Sequence, residues 1–178
     1  MFKKLVEKYI YSITITFLNL MRQGECMAIK KEYLALQKQY DLPPFDDMNK
    51  EFEIDAIEKF LFPLREVRNR MIDQLGGHAC LLEGVLSPDQ KVSAFYEGKF
   101  LSKDDLGRAF RTYKDIMALI RMGQNNALAF SEKVDAAFIR EVWHQWPDIK
   151  TALRVITQRL TQGWSSNIQQ KYQVEYFG

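Results

Sequence analysis

Glu141-Val142-Trp143-His144 sets a carboxylate and an imidazole on successive turns of a helix. Ferritin-like bundles use that E-x-x-H unit twice, with two further glutamates, to hold a pair of metal ions. The second copy is missing here: the chain's other histidine, His78, has Leu75 three residues before it. Arg140, Glu141 and His144 then read as a solvated face opposite the Ile139/Trp143 stripe, and no metal site is expected. In Gly76-Gly77-His78, with Cys80 two residues on, a thiol comes near an imidazole, a pairing that can activate a thiolate. Nothing nearby supplies the oriented third group such chemistry needs. The expectation is a helix crossing with a buried thiol. Cys26 and Cys80 match no CxxC spacing, which leaves two free, buried thiols in a reducing compartment rather than a zinc site. A P-loop, GxGxxG, HExxH, EF-hand or G-x-S-x-G pattern is also missing. No catalytic residue and no cofactor is assigned, and the chain leans away from an enzyme.

A second polar cluster is Arg68-Asn69-Arg70-Met71-Ile72-Asp73. It resembles the R-x4-6-H ribonuclease motif of the HEPN family, whose members are all-helical and often carry a polar residue after the arginine. The resemblance covers six residues. The position five after Arg68 holds Asp73 in place of histidine, and His78 lies outside the motif's spacing. The departure puts cleavage in doubt; what the resemblance then implies is a degenerate, RNA-associated or dimerising module. The plainer reading pairs Glu66 with Arg70 at i,i+4 and leaves Arg65, Arg68 and Asn69 on an exposed face.

Charge is uneven along the chain. Residues 41–60 carry seven acidic and two basic side chains, and residues 99–122 carry six basic and three acidic. Residues 140–171 add five basic against two acidic. Arg111, Lys114, Arg121, Lys150 and Arg154 are the candidate nucleic-acid contacts, with aromatics nearby to stack on bases. Against that reading stand a net charge of +2 and a pI near 8.4. An alternative use of the asymmetry is to orient copies of the chain, acidic segment against basic face. Trp164, Tyr172, Tyr176 and Phe177, near the chain's end, are the candidate interface aromatics, because a terminal tail buries such rings only by docking.

These residues need elements to position them. With 178 residues, 47% hydrophobic, and only nine glycines and five prolines, the chain can bury a core without disulfide or metal. Basic residues precede an uncharged run, Tyr9–Met21, too short and too polar to span a membrane. Residues 2–22 carry both helical spacing and strand-like alternation. Ile29, Tyr33, Leu36 and Tyr40 predict a helix that stops at Pro43-Pro44. Asp47 is the expected N-cap of a longer helix, kinked or broken near Lys59–Phe62 by Pro63, with Gly76-Gly77 either ending it or marking a close helix crossing. Ala79–Leu86 follows as a short helix, and residues 91–101 read as a small β-hairpin about Glu97-Gly98. Ser102 to Asp105 forms a capping box with Asp in place of Glu, opening a helix that Gly123–Asn126 should break. Ser131 starts another helix, Pro147 opens the next as its first residue, and Gly163 ends it, with a last helix from Ser165.

The expected fold is all-α: a single helical domain over 1–178 with about six to seven helices. The expected function is a cytoplasmic, non-enzymatic protein-interaction or self-assembly subunit, partnered by another protein or by itself. Membrane association is not expected. The alternative is a nucleic-acid-binding helical protein.

Overall fold

Prolines and left-handed residues set the first boundaries. The computed structural model describes residues 29–57, 61–87 and 92–165. Helix α1 (29–40) closes in a Schellman turn, in which the Leu42 N–H donates to the Gln37 carbonyl (3.1 Å) and Asp41 takes φ 51° where glycine is usual. Pro43 and Pro44 follow and lead into α2 (Phe45–Phe52). No side chain caps α2: Pro44 precedes it, its carbonyl accepts the Met48 N–H (3.0 Å), and Asp47 lies in the first turn rather than capping it. Phe45, Met48 and Phe52 are buried at 3-4 spacing, and Tyr33 of α1 sets its ring edge-on to Phe45 while its hydroxyl donates to the Pro43 carbonyl (2.9 Å). Burial pushes the Tyr33 hydroxyl far up, so it stays a donor. The helix ends at Glu53 (φ 49°), followed by a 3-10 turn at Ile54–Ala56.

Pro63 is the first residue of α3 (Pro63–Leu86), where a missing N–H costs nothing. The expected longer helix broken near Lys59–Phe62 is not seen: α2 already ends at Phe52, and residues 58–60 lie outside the described residues. The expected stop at Gly76-Gly77 is not present either: α3 continues through both glycines, because buried Leu75 on one side and Ala79, Leu82 and Val85 on the other outweigh the weak helix propensity of glycine. Nor is this a close crossing, since a Cβ on either glycine would meet nothing within 4 Å.

The segment read as a hairpin is helical: α4 (Val92–Glu97) runs into a 3-10 turn, Gly98–Phe100. A lone ribbon has no sheet to join, whereas the helical form sets Tyr96 beside Phe100, ring centroids 4.8 Å apart. Helix α5 (Lys103–Ala127) opens with the expected capping box. The Asp105 N–H donates to Ser102 Oγ (3.1 Å), and the Ser102 N–H and hydroxyl donate to Asp105 Oδ2 (3.1 and 2.7 Å). Those bonds from Ser102 hold the Asp105 carboxyl below its ordinary range. Helix α5 does not break at Gly123, which is buried against Ile72 and Phe138.

Helix α6 (Glu132–Ser165) starts on the Ser131 carbonyl, which accepts the N–H groups of Val134 and Asp135 (3.1 and 3.0 Å). Pro147 lies inside this helix instead of opening a new one. Buried Trp146 and Ile149 hold the chain on both sides, and the Trp146 indole N–H donates to Glu51 (2.8 Å). Two pairs of expected helices are thus fused, and the helix count is lower than the pattern implied. Every regular element among the described residues is helical.

The described chain belongs to two compact units. One takes the residues up to Gly76 with Ala118–Trp146, and the other takes Gly77–Met117 with the residues from Pro147. The expectations for residues 2–22, Cys26, the helix after Ser165, and Tyr172, Tyr176 and Phe177 lie outside the described residues.

Candidate functional site

In the first unit, the start of α3 and the turn between α5 and α6 bring chemistry together. The Arg68 guanidinium, on α3, is buried and donates through Nη1 to Asp135 Oδ1, from the first turn of α6. Nη2 donates to Asn69 Oδ1 (3.1 Å), and Nε is buried without a hydrogen-bond partner. Burial raises the Asp135 carboxyl while the Arg68 charge pulls it back, with Arg65 and Glu132 acting on it from further off. Arg68 is therefore buried and not on an exposed face. Arg70 does not turn to Glu66: it donates to the Phe52 carbonyl (3.1 Å) and to Glu53 (2.5 Å).

One turn before Arg68, Arg65 holds an unusual surface. Its guanidinium carbon lies 4.4 Å from the centroid of Phe62 and 4.9 Å from that of Phe130. Both rings face water, with Phe62 52% and Phe130 73% exposed. Their sequence neighbours Leu61 and Leu128 are 83% and 78% exposed. Phe130 also takes a left-handed backbone, φ 46°. A large apolar side chain loses burial free energy when it faces water, and four such residues on two neighbouring turns form a contiguous-surface candidate rather than scatter. No stripe analysis reveals it. The signal available in the sequence is an apolar turn, Ala127–Phe130, where a polar or glycine-rich one is usual.

In the second unit Trp164 is exposed, and its ring contacts Tyr96 (5.0 Å) and Phe100 (6.1 Å) while its N–H donates to Glu97 (2.8 Å). Gly163 lets Phe100 close on α6, since a Cβ there would collide with the ring. At these separations the rings fill the space between them, leaving a packed cluster with one open Trp164 face.

The basic candidates are divided. Arg111, Lys114 and Arg154 are exposed in the second unit and Lys150 is half-buried there, whereas Arg121 belongs to the first and donates to Gln124 (2.8 Å). Phe110, beside Arg111, is exposed. The acidic segment is partly engaged within the chain: Asp46 pairs with Lys30 (2.6 Å), Glu53 with Arg70 and Glu51 with Trp146.

Cys80 is exposed rather than buried, one residue off the Ala79/Leu82 stripe, and burial lowers the His78 imidazole. Glu141 accepts from Gln145 (2.6 Å), and His144 faces solvent. Arg140 donates to the Tyr40 carbonyl, and the Tyr40 hydroxyl to Glu132 (3.2 Å). Among the described residues no three His, Cys, Asp or Glu side chains gather as a metal site would require, and no helix is long and apolar enough to cross a membrane.

Comparison with known proteins gives no match: no family model, no curated protein and no solved structure corresponds to this chain.

Proposed function

We propose that this chain is a cytoplasmic, non-enzymatic helical interaction subunit whose docking surface is the Leu61, Phe62, Leu128 and Phe130 patch braced by Arg65. The observation that carries the reading is the exposure of two phenyl rings held by one guanidinium. Aromatic rings fixed in place before binding lose little side-chain entropy on docking, and they are the residues on which protein interfaces concentrate their affinity. A nucleic-acid reading draws on exposed Phe110, Arg111 and Lys114, but the remaining basic candidates include one in the other unit and one half-buried.

The test is a photo-crosslinking residue in place of Leu128, irradiated in cells. Discrete adducts with protein are expected. Adducts with RNA, or no adduct from a folded chain, refute the reading. Salt-dependent RNA binding lost on changing Arg111 and Lys114 would favour the alternative.

A further inference from the structure

The patch of Leu61, Phe62, Leu128 and Phe130 is small for a free partner. A covered aromatic ring accounts for roughly 150–250 Å², so its four exposed side chains offer on the order of 500 Å². A stable contact between separate proteins takes about 800 Å² from each side. An occupant tethered to the same chain needs far less, because a short tether holds it at millimolar effective concentration. A contact with a dissociation constant below about 1 mM is then filled more often than not.

Three observations single out one tethered segment. The residues ahead of Ile29, the start of α1, include the uncharged run Tyr9–Met21 with Ile10, Ile13, Ile15, Phe17, Leu18 and Leu20, side chains that themselves lose free energy when left in water. The second observation is reach. The Tyr40 hydroxyl bonds Glu132, two residues past Phe130, so the far end of α1 stands beside the patch. Helix α1 (29–40) spans about 18 Å, and the stretch Arg22–Ala28 extends to about 23–25 Å, enough to return along it. The third is charge. The described residues of the first unit carry twelve acidic against ten basic side chains, Lys133 among the latter. Residues 1–28 carry the opposite excess, Lys3, Lys4, Lys8 and Arg22 against Glu7 and Glu25. A net −2 therefore meets a net +2.

We infer that the occupant is this chain's own segment Tyr9–Met21, seated on the Leu61, Phe62, Leu128 and Phe130 surface and displaced from it when a partner binds. This rests on the docking role proposed above and makes access to that surface conditional, since a partner must outcompete a cover held on the same chain.

Trypsin makes the test direct: cleavage after Lys8, Arg22, Arg121 and Lys133 releases residues 9–22 and 122–133 as separate peptides. The purified full chain, dilute and carrying the photo-crosslinking residue at position 128, is irradiated alone. The expected product keeps the single-chain mass of 20.9 kDa and, after trypsin, joins 9–22 to 122–133 in the mass spectrum. Ile13→Asp with Phe17→Asp should weaken the contact at least about tenfold, the size of a modest hot spot, and cut the joined product about threefold or more. Lys3→Glu with Lys4→Glu, which leaves the apolar run intact, should cut it as well. A product joining 122–133 to any other peptide, a link formed only between two chains, or a yield that both double variants leave unchanged overturns the inference. The same crosslink in cells keeps the two ideas apart. An adduct with another protein, without the 9–22 join in the purified chain, removes the cover but leaves the docking surface standing. The join with no protein adduct in cells upholds the cover and removes the docking role.

Discussion

Gly123 offers a test in which one atom decides the sign. A Cβ placed there would lie 2.6 Å from Ile72 Cδ1 and 2.9 Å from Cε2 and Cζ of the Phe138 ring. Gly123 is buried and the Phe138 ring is fully buried, so the ring has no solvent to move into, while Ile72 is half-buried and can give only in part. Overpacking of this kind costs about 1–3 kcal/mol. Alanine in a helix interior returns about 1 kcal/mol of propensity. The net expectation for Gly123→Ala is a loss of up to about 2 kcal/mol. With a urea slope of about 2 kcal/mol per molar, the midpoint followed by circular dichroism falls by up to about 1 M. The decisive variant is Ile72→Val, which deletes the Cδ1 methyl that the new Cβ would strike. Alone it should cost about 0.5–1.5 kcal/mol. Combined with Gly123→Ala it should restore a large part of the loss, giving a favourable coupling of about 1 kcal/mol in a double-mutant cycle. Strictly additive effects, or a Gly123→Ala protein more stable than the parent, would show that α3 and α6 do not press on α5 as described.

Gly76 and Gly77 should behave in the opposite way: each is helical with open space around a new Cβ, so Gly76→Ala and Gly77→Ala should each raise stability by about 1 kcal/mol in the same urea assay. Arg68→Met leaves Asp135 buried without its partner and should cost about 3–5 kcal/mol at neutral pH, whereas Arg68→Met with Asp135→Leu should lose much less. The folded Asp135 carboxyl is raised above its unfolded range, so the native state takes up its proton first. The deficit of the single variant is thus present above the folded pKa and shrinks as pH falls through it, which urea melts at stepped pH will read.

Much of the fold is legible in residue order because local chemistry and tertiary packing agree there. The Ser102–Asp105 box and the stop ahead of Pro43-Pro44 both follow from groups within a few residues. The errors share one cause. Gly76-Gly77, Gly123 and Pro147 are local stop signals overridden by buried neighbours on both sides. The hairpin read at residues 91–101 fails for a related reason: strand propensity needs a partner strand, and the rings of Tyr96 and Phe100 find Trp164 instead. The candidate site was less visible still. Arg68 meets Asp135 across 67 residues of sequence, and Arg65 meets Phe130 across a similar span, which no periodicity encodes.

Asp41 and Glu53 end their helices, and Phe130 joins α5 to α6, in a backbone region that disfavours any side chain, by roughly 1–2 kcal/mol each. An arginine from elsewhere in the chain meets each joint: Arg140 at the Tyr40 carbonyl, Arg70 at Phe52 and Glu53, Arg65 at the ring of Phe130. Helix ends in this half of the molecule are accordingly set by local bonds and braced from a distance. Excised peptides keep those local bonds but lose the remote guanidinium, so their helix ends should fray further than in the whole chain.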